Sequence, residues 1–187
     1  MRIVSGAHRG RALVAPEGRA TRPTADRVRQ AMFDVLAHAP FAPDLQGARV
    51  IDLFAGSGAL GLEALSRGAS YGLFVETDEA ARGAIRTNLD ALGLIGAGRV
   101  HRRDATDLGP RPATDGAPFD LAFLDPPYGK GLGEKALGGL RAGGWLAPDA
   151  LCVLERAADE ADPAVEGFDL IDSRRWGPAA VHFLKLL

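Results

Sequence analysis

From Arg49 onward, short apolar runs alternate with segments whose apolar residues recur every three or four positions. The short runs predict strands over Arg49–Phe54, Tyr71–Glu76, Arg99–Arg102, Phe119–Leu124 and Ala150–Glu155. The longer rhythm predicts helices over about 59–67, 79–92 and 133–141. The stretch Asp104–Pro118 holds too much Gly, Pro and Asp for a long helix. Alternation of this kind implies a parallel sheet with helices on both faces. The last two apolar runs, Phe168–Arg174 and Ala179–Leu186, are separated only by Arg175-Trp-Gly-Pro178. That gap is too short for a crossover helix, so these two strands are expected to pair antiparallel. The expected architecture is a mostly parallel seven-stranded sheet ending in an antiparallel hairpin.

Ahead of Arg49 the pattern is different. Arg2-Ile-Val-Ser and Arg11-Ala-Leu-Val-Ala flank a Gly6-to-Gly10 turn and suggest a short hairpin. Pro16, Gly18 and Pro23 break regular structure, and Thr24 is a candidate N-cap. A helix is expected from Ala25 to about His38, with Val28, Met32, Val35 and Leu36 on its inner face. The chain thus divides into an N-terminal extension, residues 1–24, and a main domain, residues 25–187.

A length of 187 residues suffices for one full hydrophobic core, and 47% apolar with 25% charged residues is a globular composition. No apolar run has the length of a membrane span, no signal peptide opens the chain, and a lone cysteine, Cys152, excludes an internal disulfide. A cytoplasmic monomer is expected. The net charge of −2 conceals an asymmetry: residues 1–30 carry seven arginines and a balance of +5, leaving −7 for the remainder. A basic arm on an acidic body is the electrostatic footprint of a nucleic-acid partner, although a solvated arginine-rich terminus would look the same. The four histidines lack the spacing of metal ligands, and no metal is expected.

Two motifs carry chemistry. Asp52-Leu-Phe-Ala-Gly-Ser-Gly-Ala-Leu-Gly61 follows the first strand of the alternating region and opens a helix. Its glycines match a dinucleotide fingerprint, and Glu76 ends the next strand where a carboxylate can grip a ribose diol. Asp52, however, stands where a pyrophosphate would lie; a carboxylate repels a phosphate and holds a cationic amine. The second motif, Asp125-Pro-Pro-Tyr128, closes the fourth strand. Consecutive prolines fix an extended backbone, so the Asp125 carboxylate and the Pro126 carbonyl form two neighbouring acceptors with an aromatic ring beside them. That is a receptor for a planar NH₂ group on a ring.

The segment Asp52–Gly61 resembles the first motif of class I S-adenosylmethionine-dependent methyltransferases, whose fold is Rossmann-like. Asp125-Pro-Pro-Tyr128 resembles the motif of those that methylate exocyclic amines of nucleobases. Met1-Arg-Ile-Val-Ser-Gly, Gly10-Arg-Ala-Leu and Thr21–Leu36 are similar to the RsmD family, bacterial enzymes that methylate N2 of a guanine in 16S ribosomal RNA. The resemblance runs to about residue 155. It implies S-adenosylmethionine as cofactor and 16S rRNA, free or in small-subunit particles, as partner. It implies that Asp52, Phe54, Ala55, Gly56, Ser57 and Gly58 hold the methionine part. Glu76 and Thr77 would serve the ribose, and Asp104 and Ala105 the adenine. Asp78 can share the Glu76 task or simply cap the following helix. Asp125, Pro126, Pro127 and Tyr128 would be catalytic, and Arg2, Arg9, Arg11, Arg22 and Arg27 would meet RNA. Rival readings are an adenine-N6 methyltransferase acting on DNA or RNA, an NAD-dependent oxidoreductase, and a non-catalytic RNA-binding factor that keeps the fold.

Overall fold

The first strand of the sheet is its organising element. In the computed structural model, which describes residues 1–17 and 23–187, strands run as β1 (Arg49–Leu53), β2 (Tyr71–Val75), β3 (Gly98–His101), β4 (Phe119–Leu124), β5 (Leu146–Ala157), β6 (Phe168–Trp176) and β7 (Ala179–Leu186). The helices are α1 (Pro23–His38), α2 (Ala59–Ser66), α3 (Glu79–Ala91) and α4 (Leu132–Ala142). The sheet order is β3-β2-β1-β4-β5-β7-β6. Pairing is parallel from β3 through β5, and β7 lies antiparallel between β5 and β6. Chain order reverses between β1 and β4, so the connections leaving these two strands diverge and open a crevice at their C-terminal ends.

Both sheet faces are covered, which is why the parallel strands read as unbroken apolar runs. Val50 packs with Val28, Met32 and Phe33 of α1, Leu62 and Leu65 of α2, and Ile85 and Leu89 of α3. Its neighbours Ile51 and Leu53 face the other way, onto Ala136, Leu137 and Leu140 of α4 and onto Trp145. Cys152 is buried among the latter group as a packed thiol.

Two local expectations are corrected. Helix α1 begins at Pro23, so Thr24 falls inside its first turn and is not its cap. Proline suits that opening position because its missing N–H has no helical partner there anyway. Strand β5 starts at Leu146, passing Pro148 through an irregularity in its register with β4. Proline is tolerated at such a bulge, and the residue after it, Asp149, takes a φ of 62°.

The expected N-terminal hairpin is present in short form: one antiparallel bridge, Arg2 to Ala12, flanked by backbone bonds from Ile3 N–H to the Arg11 carbonyl at 3.0 Å, Gly10 N–H to the Ile3 carbonyl at 2.8 Å and Leu13 N–H to the Met1 carbonyl at 2.9 Å. Other backbone donors of the segment reach the helices. Val4 and Ser5 donate N–H bonds to the Glu63 carboxylate at 2.9 and 3.0 Å, and His8 N–H reaches Ser66 Oγ at 3.0 Å. Asn88 of α3 exchanges two bonds with the backbone of Val14, at 2.7 and 3.0 Å. With Ile3 and Leu13 buried in the core, the segment is stitched to α2 and α3 as well as to itself.

Glu63 is fully buried and also accepts from Arg67 Nε at 2.9 Å. Glu63→Ala should therefore lower stability by about 2–3 kcal/mol, because it leaves two backbone donors and a guanidinium uncompensated. Urea denaturation measures the loss, and amide exchange should accelerate at Val4 and Ser5 first. Unchanged exchange at those two amides would contradict the anchoring role.

Candidate active site

The crevice above β1 and β4 is built by two tight exits. Beyond Leu53 the chain reverses into α2 through Phe54 at φ 56° and Gly58 at φ 79°. Phe54 is not a glycine, so its left-handed backbone is strained and must be held by its surroundings. Gly61 N–H donates to Asp52 Oδ2 at 2.9 Å, Gly56 N–H to Glu76 Oε2 at 2.8 Å, and Ala55 N–H to the Val75 carbonyl at 3.1 Å. A Cβ on Gly61 would overlap the Phe74 ring, so α2 can approach Asp52 this closely only with glycine there. The other oxygen of Glu76 accepts from Asp78 N–H at 2.9 Å. Glu76 thus ties the glycine turn to the end of β2, and Asp78 caps α3 by accepting from Ala81 N–H at 2.8 Å.

The second exit follows β4. Asp125 leaves the strand at the crevice, Pro126 is buried, and Pro127 and Tyr128 lie on the surface. Tyr128 donates its hydroxyl to Glu155 Oε1 at 2.6 Å. Glu155 ends the apolar stretch of β5, one residue after Leu154, the register partner of Leu124. Gly129 N–H donates to Glu160 Oε1 at 3.2 Å, and Arg156 clamps Glu160 and Glu134 at 2.8 and 2.7 Å. The Asp-Pro-Pro-Tyr loop is thereby braced against β5 and α4.

Two cavities meet at this point. One, of about 290 Å³, lies between α1 and the glycine turn, with Met1, Pro16, Arg29, Asp52 and Gly56 in its wall. The other, of about 630 Å³, carries Glu76, Thr77, Pro126, Pro127, Tyr128 and Pro178. Phe54, Asp125 and Glu155 belong to both walls. The crevice therefore joins a turn-lined chamber to an aromatic-lined one across a pair of carboxylates.

The electrostatics are lopsided. Burial lifts the Asp52 carboxyl well above the usual carboxylate range against the opposing Gly61 bond, and Asp125 and Glu76 raise it further. Asp125 faces the open cavity but is surrounded by protein elsewhere; that desolvation, then the charge of Glu155, raises it strongly too. Desolvation likewise raises Glu155, with the Tyr128 bond opposing it. Against these carboxylates the turn-lined chamber has, among the described residues, one cationic side chain in its wall, Arg29. Arg29 is buried and donates to the Arg2 carbonyl at 2.7 Å; its buried Nε has no hydrogen-bond partner among the described residues. This donor set suits a ligand with positive centres and a carboxylate, and disfavours a pyrophosphate.

The structure brings Asp52, Phe54, Ala55, Gly56, Ser57, Glu76, Thr77, Asp125, Pro126, Pro127 and Tyr128 to the walls of this crevice. Gly58 lies beneath the turn, against Phe74 and Ile85. Asp104 and Ala105 are in neither wall. Asp104 is exposed and accepts from Thr106 N–H and Oγ1 at 2.8 and 2.7 Å, bonds that lower its pKa, while Ala105 is buried on the α4 side of the sheet. Arg2, Arg9 and Arg27 share a shallow depression of about 410 Å³ beside α1. Arg11 instead donates to the Ala91 carbonyl at 2.6 Å, at the end of α3. Arg22 lies outside the described residues.

Glu155, Arg29 and Pro178 were not singled out by sequence. Arg29 sits three and four positions before Met32 and Phe33, on the inward stripe of α1, which is the signal that would have found it. Glu155 needed the β4–β5 register, and Pro178 the β6–β7 turn.

Comparison with known proteins agrees with this geometry. The family described as Conserved hypothetical protein 95 matches residues 1–185. Ribosomal RNA small subunit methyltransferase D of Escherichia coli K12 is 40% identical over 88% of this chain and 79% of its own length. The protein of the same name from Haemophilus influenzae is 34% identical over 95% of this chain and 89% of its own. The solved structure of the Escherichia coli protein yhhF superposes with a TM-score of 0.83 at 36% identity, covering 100% of this chain and 97% of that one.

The charge crowding makes a stability prediction. With Asp125 raised, the folded ligand-free protein binds more protons than the unfolded chain above the ordinary carboxylate range, so Asp125 costs stability increasingly as pH rises through that window. Asp125→Asn should raise the melting temperature at pH 8.5 by a few degrees and by less at pH 5. Scanning calorimetry at both values tests this; a gain larger at pH 5 would refute it.

Proposed function

The chain belongs to the RsmD family, and on that footing we propose that it transfers a methyl group from S-adenosylmethionine to the exocyclic N2 amine of a guanine in 16S ribosomal RNA. The observation that carries this reading is the meeting of the two chambers at Asp125. One chamber has the chemistry of an amino-acid-bearing cation, and the other has that of a flat base with an amine.

S-adenosylmethionine, when bound, supplies a sulfonium-activated methyl group that the protein does not itself have to activate. Asp52 and the turn from Phe54 to Gly58 hold the methionine end, with Arg29 as the cation for its carboxylate. Glu76 and Thr77 face the ribose. Asp104 and Ala105, in the loop after β3, are assigned to the adenine by the family resemblance. The negative wall of Asp52, Asp125 and Glu155 favours the positive cofactor electrostatically. NAD fits this wall poorly, because its pyrophosphate would face the same carboxylates.

The base amine is a weak nucleophile, because its lone pair is delocalised into the purine. Asp125 and the Pro126 carbonyl accept its two N–H bonds and favour a pyramidal nitrogen aimed along the line of transfer. As the N–C bond forms and the S–C bond breaks, positive charge develops on the nitrogen, and both acceptors face it. The raised proton affinity of Asp125 suits it to take the proton that the nitrogen then loses. Tyr128 stacks on the base, a contact worth about 1–3 kcal/mol. Reaching this pocket requires the guanine to leave its own stack, and RNA offers such bases in loops and other irregular sites. Residues 1–24 act as the RNA-contacting extension, with Arg2, Arg9 and Arg27 on the phosphates. No helix among the described residues is long and apolar enough to cross a membrane, and a ribosomal substrate implies action in the cytoplasm.

Incubation with methyl-labelled cofactor and 16S rRNA, free and within small-subunit particles, followed by nucleoside digestion, tests the activity. N2-methylguanosine is the expected product; label in N6-methyladenosine, or none in either substrate, would overturn the reading. Asp125→Ala should reduce turnover by about 10³-fold or more while the Kd for S-adenosylhomocysteine changes little. Replacing Arg9 and Arg27 together with Ala should flatten the slope of log Kobs against log salt for RNA by about 1–2, since each lost phosphate contact removes roughly 0.7–0.9. An unchanged slope would return these arginines to a solvated surface.

A further inference from the structure

We propose that Glu155 selects guanine, by accepting a hydrogen bond from the N1–H of the base while Asp125 holds the neighbouring N2 amine. The inference rests on the methyltransferase reading of this site and adds to it a residue that distinguishes one purine from the other.

The placement follows from strand register. Leu124 and Leu154 are partners in the parallel pair β4–β5, so Asp125 and Glu155 leave adjacent strands side by side. Neighbouring strands lie about 4.8 Å apart, which spaces two carboxylates for two adjacent donors on one edge of a ring. Both side chains belong to the wall of the chamber that holds Tyr128, and both to the wall of the chamber behind it. Glu155 accepts the Tyr128 hydroxyl on Oε1. An ionised carboxylate has about four lone-pair sites, so that bond leaves capacity for a second donor.

Base chemistry supplies the discrimination. The guanine amine is flanked on its Watson–Crick side by N1–H, a donor. The adenine amine is flanked by N1 and, across the ring fusion, N7, both acceptors, and the cytosine amine by N3, also an acceptor. A carboxylate beside the amine-binding Asp125 therefore completes a donor–donor edge in guanine. In adenine it meets a lone pair. Asp125-Pro-Pro-Tyr128 alone grips any exocyclic amine; Glu155 makes the grip depend on what lies next to it. A polar site built around a ligand donor rejects the analogue that lacks it far more strongly than an apolar pocket rejects a change of size.

A simpler role would be to hold Tyr128. The two roles separate experimentally, because Glu155→Gln keeps an amide oxygen for the Tyr128 hydroxyl but turns a donor toward the base. The substrates are small-subunit particles reconstituted with 16S rRNA that carries either guanine or 2-aminopurine at the nucleotide the wild type labels. 2-Aminopurine keeps the amine and lacks the N1 proton. Label in N2-methylguanosine from the wild-type enzyme establishes the underlying activity independently of Glu155. Given that product, the wild type should prefer guanine over 2-aminopurine by about 100-fold in kcat/KM, from the loss of a charge-assisted bond. Glu155→Gln should abolish or reverse that preference, with a melting temperature no lower than that of the wild type. Tyr128→Phe should keep the preference, with a raised KM. Equal use of both bases by the wild type, a wild-type ratio in Glu155→Gln, or loss of the ratio in Tyr128→Phe would each overturn the proposal. The wild-type ratio decides even if a variant fails to fold.

Discussion

The side-by-side pairing of β1 and β4 is the constraint on which the site depends. The four register pairs from Val50–Leu121 to Leu53–Leu124 place the two strand ends at one level. Asp52 is the partner of Phe123, and Asp125 follows two residues later, just past the end of β4, so the carboxylate of one motif lies within electrostatic reach of the other. Because β2 and β3 lie to one side of β1 and β5 to the other side of β4, no crossover covers this junction. The crevice is thus a product of sheet topology, and the loops decide only what lines it.

That junction is electrostatically costly. Asp52 is 2% exposed, and Asp125 and Glu155 share its neighbourhood. Their proton affinities rise because the surroundings offer too little solvation and too few cations for all of them to ionise at once. Part of the compensation is backbone: Gly61 N–H on Asp52, and Gly56 and Asp78 N–H on Glu76. The remainder awaits a positive ligand, so the same groups that weaken the ligand-free fold strengthen cation binding. Local strain follows the same logic, since Phe54 keeps its left-handed backbone between two such anchored residues.

Much of this was legible in the sequence, and the parts that were not have identifiable causes. Apolar runs located the seven strands described, most plainly β1, β2 and β4, which are buried on both faces, and periodicity located the four α-helices described. Boundaries slipped where tertiary pairing overrode local signals: β5 continues past Pro148 because β4 supplies a bulged partner, and β6 reaches Trp176 because that residue pairs with Ala179. The short N-terminal hairpin was legible, but not its anchoring: Glu63, Ser66 and Asn88 accept from its remaining backbone donors across more than fifty residues of chain, which no local pattern reveals. Motif residues were legible because glycine and proline declare backbone geometry. Glu155 declares nothing by itself; only its register opposite Asp125 gives it a place.

The N-terminal segment connects these threads. Met1 and Pro16 help wall the turn-lined chamber, and Ser57 of the glycine turn donates its hydroxyl to Met1 Sδ at 3.6 Å. Asn88 spans the same region, accepting from Val14 N–H and donating both to the Val14 carbonyl and, at 3.1 Å, to the carbonyl of Ser57. The first residues of the chain are therefore structurally coupled to the turn that follows β1. Arg2 and Arg9 lie on the outer side of that segment, and Arg29 links the two sides: it lines the depression beside α1, donates to the Arg2 carbonyl and forms part of the inner chamber wall. In this arrangement the N-terminal arm is part of the wall of the site, which fits the burial of its apolar residues Ile3 and Leu13.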